Sequence, residues 1–502
     1  MPSCNKRKAK ASPYIFRPAR EIMNTEYEVV IGLETHAELA TVTKLFCGCS
    51  AKFGAEPNTQ VCPICLGMPG VLPVMSKKAF EYALKAAVAL HCEINGFTNF
   101  DRKSYYYPDL PKNYQISQNY NNLGVNGYMY MEVAGTIKKV RIHNVHLEEE
   151  AGKLIHPEET GADYSLVDFN RAGVPLLEIV SYPDMRSVDE VESYMQTLRK
   201  ILLYTEVSDC KMQEGSLRFE ASISLRKKGD DKLGNRVEIK NLNSMKSVIK
   251  AIEYEAVRQR DVLCKGETVA RETRLWDEVN ERSQRMRSKE EAQDYRYFPE
   301  PDLMPVLIDD KWLSEVKDSI PELPLDRKQR FTEKFKLSDY DAGVLTEEKT
   351  LADFFDECVK MLDRPKAFCN WITNDLLREV KDRKLDIANL PIRPKHLAAL
   401  VETIEKGAIS STIAKEVFSE MLQTGKEPQK IIEEKGMSQI SDEGFISSVM
   451  DKIIASNPGV IEDYKKGKKN ALAFLVGQIM KETKGKANPK MVNEMLVKKV
   501  GV

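Results

Sequence analysis

One predicted β-strand carries three polar side chains at every second position. The stretch VVIGLETHAELA, residues 29–40, begins with alternating apolar residues and continues with Glu34, His36 and Glu38. Because side chains alternate across a strand, these three residues are expected to project from one face, about 7 Å apart per step. Such a face could hold a bound group, and it could equally be a solvated polar surface.

Further carboxylates occur on other predicted strands. The segment HLEEEAGK places Glu148, Glu149 and Glu150 at the end of one strand, and Glu178 is the only charge in the apolar stretch PLLEIV. A carboxylate among apolar residues is costly unless it is paired or binds a cation. Carboxylates from several strands with one imidazole would suit Mg²⁺ or Mn²⁺ better than Zn²⁺. Salt bridges to nearby arginines are the alternative interpretation.

The cysteines provide the strongest local motif. In CGCSAKFGAEPNTQVCPICLG, four thiols occur as two close pairs, Cys47 with Cys49 and Cys62 with Cys65. Four sulfur ligands complete the tetrahedral shell of zinc, so the predicted site is structural and leaves no open position for catalysis. A redox pair at Cys62 and Cys65, or chance clustering, remains an alternative. The other cysteines are scattered singly, and we expect a reducing compartment without disulfides.

A third segment combines aromatic and basic residues. The stretch DRKSYYYPDLPKNYQISQ, residues 101–118, contains four tyrosines together with Arg102, Lys103 and Lys112. These side chains could contact a nucleotide or an RNA end by stacking and charge, although turn and packing roles explain them equally well. No Walker loop, G-x-S-x-G, H-E-x-x-H or protein-kinase pattern is present. The sequence therefore excludes the commonest classes of NTPase, esterase and metalloprotease as functions of this chain.

The elements that must position these residues change character along the chain. Several segments of residues 26–310 alternate with period two, with helices between them, such as the one that Ser76 is placed to cap. This pattern predicts an α+β domain on a large antiparallel sheet. From residue 311 onward helical periodicity replaces the strand pattern, so we predict two all-α domains, residues 311–408 and 409–502. Residues 1–25 are basic and interrupted by prolines, and we expect them to form a disordered extension.

Composition limits the class of protein. The chain has 502 residues, of which 42% are hydrophobic and 30% charged, as in soluble globular proteins of several domains. No run approaches the roughly 18 apolar residues needed to span a bilayer, so no membrane partner is expected. The net charge of −1 gives no overall argument for binding a polyanion. The segment from residue 461 to the end carries ten lysines and four acidic residues. These lysines could bind phosphate groups, or they could form a solvent-exposed basic surface.

Taken together, these segments resemble the B subunit of tRNA-dependent amidotransferases, the GatB family, across residues 27–502. The resemblance rests on IGLETHAEL, FGAEPNTQVCPICLGMPGVLPV, FDRKSYYYPDLPKNYQISQ, HLEEEAGK, LVDFNRAGVPLLEIVSYPD, MQEGSLRFEASISL, EIKNLNS, DYRYFPEPDLMP and FLVGQIMK. It implies a glutamine-synthetase-like cradle domain with a zinc-binding insertion over residues 26–310. An all-α helical domain and an all-α YqeY-like tail domain would follow.

The resemblance also implies an ATP-dependent ligase. With Mg²⁺-ATP, such a protein phosphorylates the side-chain carboxylate of misacylated Glu-tRNA(Gln) or Asp-tRNA(Asn). Ammonia that a partner A subunit releases from glutamine then displaces phosphate, giving Gln-tRNA(Gln) or Asn-tRNA(Asn). A small C subunit would complete a heterotrimer, and the basic tail would help to grip the tRNA. The bacterial cytoplasm is the expected compartment, with an organelle also possible.

Matching this sequence to the family motif implies a set of site residues. The Mg²⁺ ligands would be Glu34, His36, Glu148, Glu149 and Glu178. Glu149 and Glu178 would be catalytic, and Lys103 and Arg171 would contact phosphate or carboxylate groups. Glu38 receives no role. The structural Zn²⁺ would be held by Cys47, Cys49, Cys62 and Cys65, which match the zinc-bearing branch of the family.

Two other functions are compatible with parts of the sequence. A zinc-ribbon RNA-binding protein without catalysis would explain the cysteines and the basic tail. It would leave Glu34, His36, Glu149 and Glu178 without a purpose. An amidotransferase relative that has lost activity and serves as a scaffold is the second alternative. Transfer of the ATP γ-phosphate to a charged tRNA separates both alternatives from the enzyme.

Overall fold

The computed structural model describes residues 26–156, 163–288, 295–437, 443–465, 470–483, 487 and 489–500. The predicted basic extension, residues 1–25, lies outside the described residues. The chain divides into two compact units, Met1–Leu323 and Pro324–Val502. Each unit has its own helices and apolar core, so each is described by itself.

The first unit is built on a large twisted sheet. Its strands are β1 (Tyr27–Glu38), β2 (Glu93–Ile94), β3 (Phe97–Thr98), β4 (Asp101–Ser104), β5 (Tyr114–Ser117), β6 (Gly124–Val133), β7 (Thr136–Glu149), β8 (Lys153–Ile155), β9 (Leu166–Asp168), β10 (Pro175–Ser181), β11 (Leu217–Lys227), β12 (Val237–Leu242), β13 (Glu272–Asp277), β14 (Arg282–Ser288), β15 (Phe298–Pro299) and β16 (Val306–Leu307). Twelve of them form one sheet with the order β14-β13-β12-β11-β1-β10-β7-β5-β4-β15, in which β6 pairs with β7 and β2. The large antiparallel sheet that the sequence predicts is present, and β12 and β13 form a parallel pair within it.

Helices cover one face of this sheet. They are α1 (Lys77–Ala89), α2 (Val188–Tyr204) and α3 (Met245–Cys264). Each begins after a serine whose side chain accepts a hydrogen bond from a backbone N–H of the first turn, namely Ser76, Ser187 and Ser244. A serine cap satisfies one of the otherwise unpaired N–H groups at a helix start, so the predicted cap at Ser76 is confirmed.

Alternation along the central strands separates an apolar face from a polar one. Leu33 and Ala37 of β1, with Leu177 and Ile179 of β10, belong to the core beneath the helices. Glu34 and His36 of β1 and Glu178 of β10 point to the opposite face. If one strand slipped by a single residue, these apolar side chains would be exposed to solvent. Each large side chain would then lose about 1.5–3 kcal/mol of favourable burial free energy. The hydrophobic pattern therefore fixes the register that aligns the polar face.

The first unit includes a helix that follows its last strand. Helix α4 (Asp310–Asp318) packs against α1, where the rings of Trp312 and Phe80 lie 5.4 Å apart between centroids. Their contact places α4 in the core of the sheet domain, and the unit ends at Leu323. The helical character of residues 310–318 was visible in the sequence, but the core that they join was not.

The second unit consists of helices. They are α5 (Pro324–Phe335), α6 (Asp339–Leu345), α7 (Lys349–Met361), α8 (Pro365–Asn370), a π-helical turn (Trp371–Leu376), α9 (Leu377–Arg383), a 3₁₀ turn (Ile387–Asn389), α10 (Pro394–Glu405), α11 (Ser411–Thr424), α12 (Pro428–Glu434), α13 (Glu443–Ser456), α14 (Pro458–Lys465), α15 (Asn470–Glu482) and α16 (Pro489–Val500). One apolar core runs from Phe331 to Ile432 and another from Ile446 to Val500. The boundary predicted at residue 408 falls inside the former, because Ile413 and Val417 of α11 pack in the same core as Leu397 of α10. In the part of the chain that the structure describes, no helix has the length and apolar character to cross a bilayer.

Candidate functional site

Three side chains form a row across the polar face of the sheet. The register pairs His36 of β1 with Glu178 of β10, and Glu178 with His146 of β7. The Glu178 Oε2 atom lies 3.4 Å from Nε2 of both His36 and His146. A carboxylate that looked isolated in an apolar strand is therefore held between two imidazoles.

Two more carboxylates flank this row. Glu34 Oε1 lies 3.5 Å from His36 Nε2, and Glu148 Oε2 lies 3.8 Å from His146 Nε2. The five side chains form two triads that share Glu178, and within each triad the candidate ligand atoms lie within 4.8 Å of one another. We call these five residues the carboxylate–imidazole cluster.

The charges of this cluster are strongly coupled. Burial favours the neutral form of Glu178, but His146 and His36 outweigh it and hold the pKa of this carboxyl well below its usual range. In return, Glu178 raises the pKa of His36 to about 9 and that of His146 to about 10, against the opposing effect of burial. Burial and the nearby Glu178 charge raise the pKa of Glu34 to about 7. Without a bound cation, the imidazoles supply the positive charge that the carboxylates require.

The cluster has donor atoms to offer a cation. Glu148 Oε2 and His146 Nδ1 are buried and have no hydrogen-bond partner within the described residues. The three carboxylates offer the oxygen ligands that suit Mg²⁺ or Mn²⁺, and a bound cation would supply the positive charge that the protonated imidazoles otherwise provide. The residues present therefore fit a divalent cation.

His146 was missed by the sequence reasoning. It lies two residues before Glu148 in HNVHLEE, so the two side chains share a face of β7, just as Glu34 and His36 share a face of β1. Period-two alternation, applied to β7 as it was to β1, would have identified it.

Glu149 lies apart from the cluster. It is the neighbour of Glu148 on the same strand, so its side chain points to the opposite face. Its Oε1 atom forms an ion pair with Lys112 and accepts a hydrogen bond from the backbone N–H of Ile116 at 2.9 Å. Four of the five expected Mg²⁺ ligands come together, and Glu149 is the one that does not.

Lys103 of β4 faces the carboxylate–imidazole cluster. Burial opposes its charged form, but Glu148 and Glu178 act with other neighbours to raise its pKa. Its ammonium group lies 5.3 Å from the ring centroid of Tyr295 and 5.9 Å from that of Tyr105. Two tyrosines thus flank a lysine whose charge interacts with Glu148 and Glu178, which is a suitable setting for an anionic ligand.

Arg171 belongs to a neighbouring group of charges. Its guanidinium donates to the carbonyl oxygens of Ala151 at 3.1 Å and Gly152 at 2.7 Å, and it lies 4.0 Å from Glu150. Arg218 forms a closer ion pair with Glu150. Although burial favours the neutral acid, the two arginines lower the pKa of Glu150. Glu150 therefore forms the salt bridges to arginines that were the alternative interpretation of these carboxylates.

Glu38 lies next to this second group. Burial and the Glu150 charge raise its pKa to about 7, with Arg171 and Arg218 opposing. Its Oε1 atom is buried and has no hydrogen-bond partner among the residues that the structure describes. Glu38 thus shares a face with His36 but not a cluster.

The four cysteines meet in a separate place. The Sγ atoms of Cys47, Cys49, Cys62 and Cys65 all lie within 4.8 Å of one another. Those of Cys62 and Cys65 are 3.9 Å apart. Four sulfurs bound to zinc at about 2.3 Å would be separated by about 3.8 Å, so the arrangement fits a tetrahedral metal site. All four are free thiols, which excludes disulfide pairing among them here.

One of these sulfurs is prepared as a thiolate. A hydrogen bond from Cys47 lowers the pKa of Cys65 to about 4, against the effect of burial. The backbone N–H of Cys62, 3.1 Å from Cys65 Sγ, and the Lys44 ammonium act in the same direction. The same hydrogen bond raises the pKa of Cys47, and burial raises that of Cys49 to about 11. Metals bind the thiolate form, so Cys65 is the ligand whose deprotonation the surroundings favour.

Comparison with known proteins identifies the family. Residues 29–314 match the GatB/GatE catalytic domain, and residues 353–500 match the GatB domain. Proteins named as the B subunit of aspartyl/glutamyl-tRNA(Asn/Gln) amidotransferase align with 94% of this chain and 98% of their own length. Those of Carboxydothermus hydrogenoformans and Caldicellulosiruptor saccharolyticus are each 54% identical to it, and that of Brevibacillus brevis is 53% identical. The chain belongs to the GatB family.

The GatB/GatE catalytic-domain match covers both candidate metal-binding clusters. The carboxylate–imidazole cluster and the four cysteines all lie between residues 29 and 314. The separate GatB domain match starts in the second unit, at residue 353. The resemblance drawn from the sequence motifs is therefore confirmed, and the chemistry of this GatB-family chain is to be sought in its first unit.

Proposed function

We propose that this chain is the B subunit of a tRNA-dependent amidotransferase and that the carboxylate–imidazole cluster is its phosphoryl-transfer centre. The substrate is Glu-tRNA(Gln), Asp-tRNA(Asn) or both. The single observation that carries the proposal is the convergence of Glu34, His36, His146, Glu148 and Glu178 on one face of the sheet. The family supports the same activity.

The proposed reaction converts a poor electrophile into a good one. An oxygen of the substrate carboxylate attacks the γ-phosphorus of ATP, and ADP leaves. Ammonia then attacks the carbonyl carbon of the acyl phosphate, inorganic phosphate leaves, and the nitrogen loses a proton to give the amide. Phosphoryl transfer depends on positioned positive charge more than on a nucleophilic side chain, so a cluster of metal ligands suits this chemistry.

The cluster residues divide into two groups in this proposal. Glu34, His36 and Glu178 form one set of Mg²⁺ ligands, and His146 and Glu148 complete the other with the shared Glu178. Bound Mg²⁺ would supply the positive charge that offsets the negative charge of the phosphates.

Two basic residues serve the anionic groups of the substrates. Lys103 faces the cluster from β4, and it is proposed to contact the transferred phosphoryl group. Arg171 retains partial exposure beside Glu150, and it is proposed to contact a carboxylate or phosphate of a substrate. The family motif implies that Glu149 is a metal ligand. We propose instead that Glu149 affects the reaction rate indirectly, through its ion pair with Lys112.

The four cysteines are proposed to bind one structural Zn²⁺. The support is the number of thiols, their mutual distances and the chemistry of sulfur ligands. Because the four sulfurs fill the coordination shell, the zinc would organise the segment of residues 47–65 and take no part in the reaction.

The remaining parts of the assembly follow from the proposed chemistry. Ammonia must come from a glutaminase, here an A subunit, and a C subunit would complete a heterotrimer in the bacterial cytoplasm. The helical second unit is proposed to hold the misacylated tRNA. Its last helix ends in Lys498 and Lys499, which suits contact with phosphates.

The test is phosphoryl transfer in the reconstituted complex. With ATP, Mg²⁺, glutamine and charged tRNA, Glu178→Gln should lower the rate of amide formation by about a hundredfold or more. A loss of several kcal/mol of transition-state stabilisation corresponds to that factor. Glu28→Gln is the matched control, because Glu28 lies on the neighbouring strand β1, on the same face as His36, but pairs with Arg226. If wild-type protein transfers no γ-phosphate to charged tRNA, the chain is a scaffold or a binding protein and the proposal fails.

A further inference from the structure

Lys44 is a fully buried lysine beside the cysteines. Its side chain has 0% relative exposure, although it lies in the loop that follows β1. The ammonium nitrogen lies 3.6 Å from Cys65 Sγ and 3.3 Å from the carbonyl oxygen of Phe169. These two atoms are the acceptors that the structure gives it, and neither is a carboxylate.

Burial without a carboxylate is unusual for a lysine. Throughout the described residues, no Asp or Glu forms an ion pair with Lys44, whereas the buried Lys112 pairs with Glu149. An ammonium group removed from water is costly unless negative charge compensates it. The cysteine sulfurs, of which Cys65 Sγ lies 3.6 Å from the ammonium, can supply that negative charge.

The charge of a metal centre formed by these cysteines matches this requirement. Four thiolates and one Zn²⁺ carry a net charge of −2, whereas four neutral thiols would leave the ammonium uncompensated. We propose that Lys44 is a charge-balancing and positioning residue of the cysteine centre, holding Cys65 as a metal ligand and offsetting part of the negative charge. This inference rests on the zinc site proposed above.

The same lysine connects the cysteines to the segment that carries Arg171. The backbone N–H of Leu45 donates to the carbonyl oxygen of Gly173 at 2.8 Å, and Lys44 donates to Phe169 at the other end of the segment. Gly173 has a φ of +87°, and a Cβ there would lie 3.5 Å from Cys65 Cβ and 3.6 Å from Lys44 Cδ. Lys44 thus packs between the cysteine centre and residues 169–173, so its loss should loosen both.

Zinc affinity of the full-length protein tests the charge-balancing role. Lys44→Met keeps most of the side-chain volume and removes the charge, and it should weaken zinc binding about 10- to 100-fold in competition with a chromogenic chelator. That range is typical for residues that support metal ligands from outside the coordination shell. Lys52→Met is the matched control, because Lys52 lies between the two cysteine pairs but is exposed, and it should change affinity less than twofold. Unchanged affinity in Lys44→Met would overturn the inference.

A double-mutant comparison separates charge balance from simple packing. Lys44→Met should lower the melting temperature of the zinc-bound protein. In a background where all four cysteines are alanine, the same change should raise the melting temperature by about 2 °C, because the ammonium no longer has an anionic partner. A decrease in both backgrounds would identify Lys44 as a packing residue only and would overturn the inference. If the wild-type protein binds no zinc, the zinc proposal itself fails, which the metal content reveals independently.

Discussion

The two candidate metal-binding clusters of this protein are constructed in opposite ways. The cysteine site takes all its ligands from residues 47–65, and its spacing is visible in the sequence. The carboxylate–imidazole cluster takes its ligands from β1, β7 and β10, which are far apart along the chain. A site within one loop can be identified by counting residues, whereas a site across strands depends on which strands are neighbours and in what register.

The clusters also differ in what they leave available. Four thiols saturate a tetrahedral metal, so the cysteine site is suited to holding a loop. In the other cluster two triads share Glu178, and Glu148 and His146 keep buried atoms without hydrogen-bond partners within the described structure. Buried polar atoms without hydrogen-bond partners lower the stability of a protein, and they are typical of a site that binds a ligand or a substrate.

The largest expected effect tests whether His146 belongs to the reactive cluster. We expect His146→Gln and His36→Gln each to lower the amidation rate of the complex about a hundredfold or more, because both imidazoles contact Glu178 at the same distance. Amide formation on charged tRNA measures this, with zinc content as the control. A His146→Gln enzyme with nearly wild-type activity would remove His146 from the site.

A smaller effect on activity is expected at the cysteines. The double variant Cys62→Ser/Cys65→Ser should lose about one equivalent of zinc and have a lower melting temperature, because the metal crosslinks its loop. Activity should fall by about tenfold or less, since the cysteines are outside the carboxylate–imidazole cluster. Metal analysis and thermal unfolding measure the two changes. Equal metal content in wild type and variant would contradict the zinc assignment.

A double-mutant cycle tests whether Glu149 acts through Lys112. We expect Glu149→Gln and Lys112→Met to lower the amidation rate by factors that agree within about threefold, and the double variant to be no worse than either, because all three break one ion pair. The Mg²⁺ concentration for half-maximal rate should stay unchanged. A raised Mg²⁺ requirement in Glu149→Gln alone would instead identify Glu149 as a metal ligand.

The smallest effect on activity is expected at an ion pair outside both clusters. Asp356 accepts hydrogen bonds from Arg327 and Arg330, which lower its pKa although burial favours the neutral acid. As the pH falls, Asp356 therefore takes up a proton in the unfolded chain before it does so in the folded chain. The contribution of its ion pairs to stability is thus present above about pH 4 and is lost as the pH falls below it.

Replacing Asp356 shows this pH dependence directly. Asp356→Asn should reduce the free energy of unfolding by about 1–3 kcal/mol at neutral pH, with the difference shrinking as the pH falls below about 4. Denaturant unfolding at several pH values measures it, and amidation should be unchanged. A constant difference down to pH 3 would show that the ion pairs are not the cause.

Prediction from sequence succeeded where the physical signal was local. The Ser76 cap, the alternating strands and the cysteine spacing all depend on residues a few positions apart. The contact of Trp312 with Phe80, more than two hundred residues earlier, joins residues 310–318 to the sheet domain and left no local signal in the sequence. Glu149 was grouped with Glu148 through the family motif, yet neighbours on a strand face opposite sides. His146 was missed although its alternation with Glu148 was present in the sequence.

The amino-acid sequence by itself determined the residue types of both clusters, the face on which each strand residue lies and the closed shell of four thiols. Only the tertiary structure decided that Glu178 stands between two imidazoles and that Lys44 is buried against Cys65. The reason is that alternation fixes the direction of a side chain relative to its own strand, whereas its neighbours are fixed by strand order and register. Those depend on the burial of the whole apolar face beneath the helices.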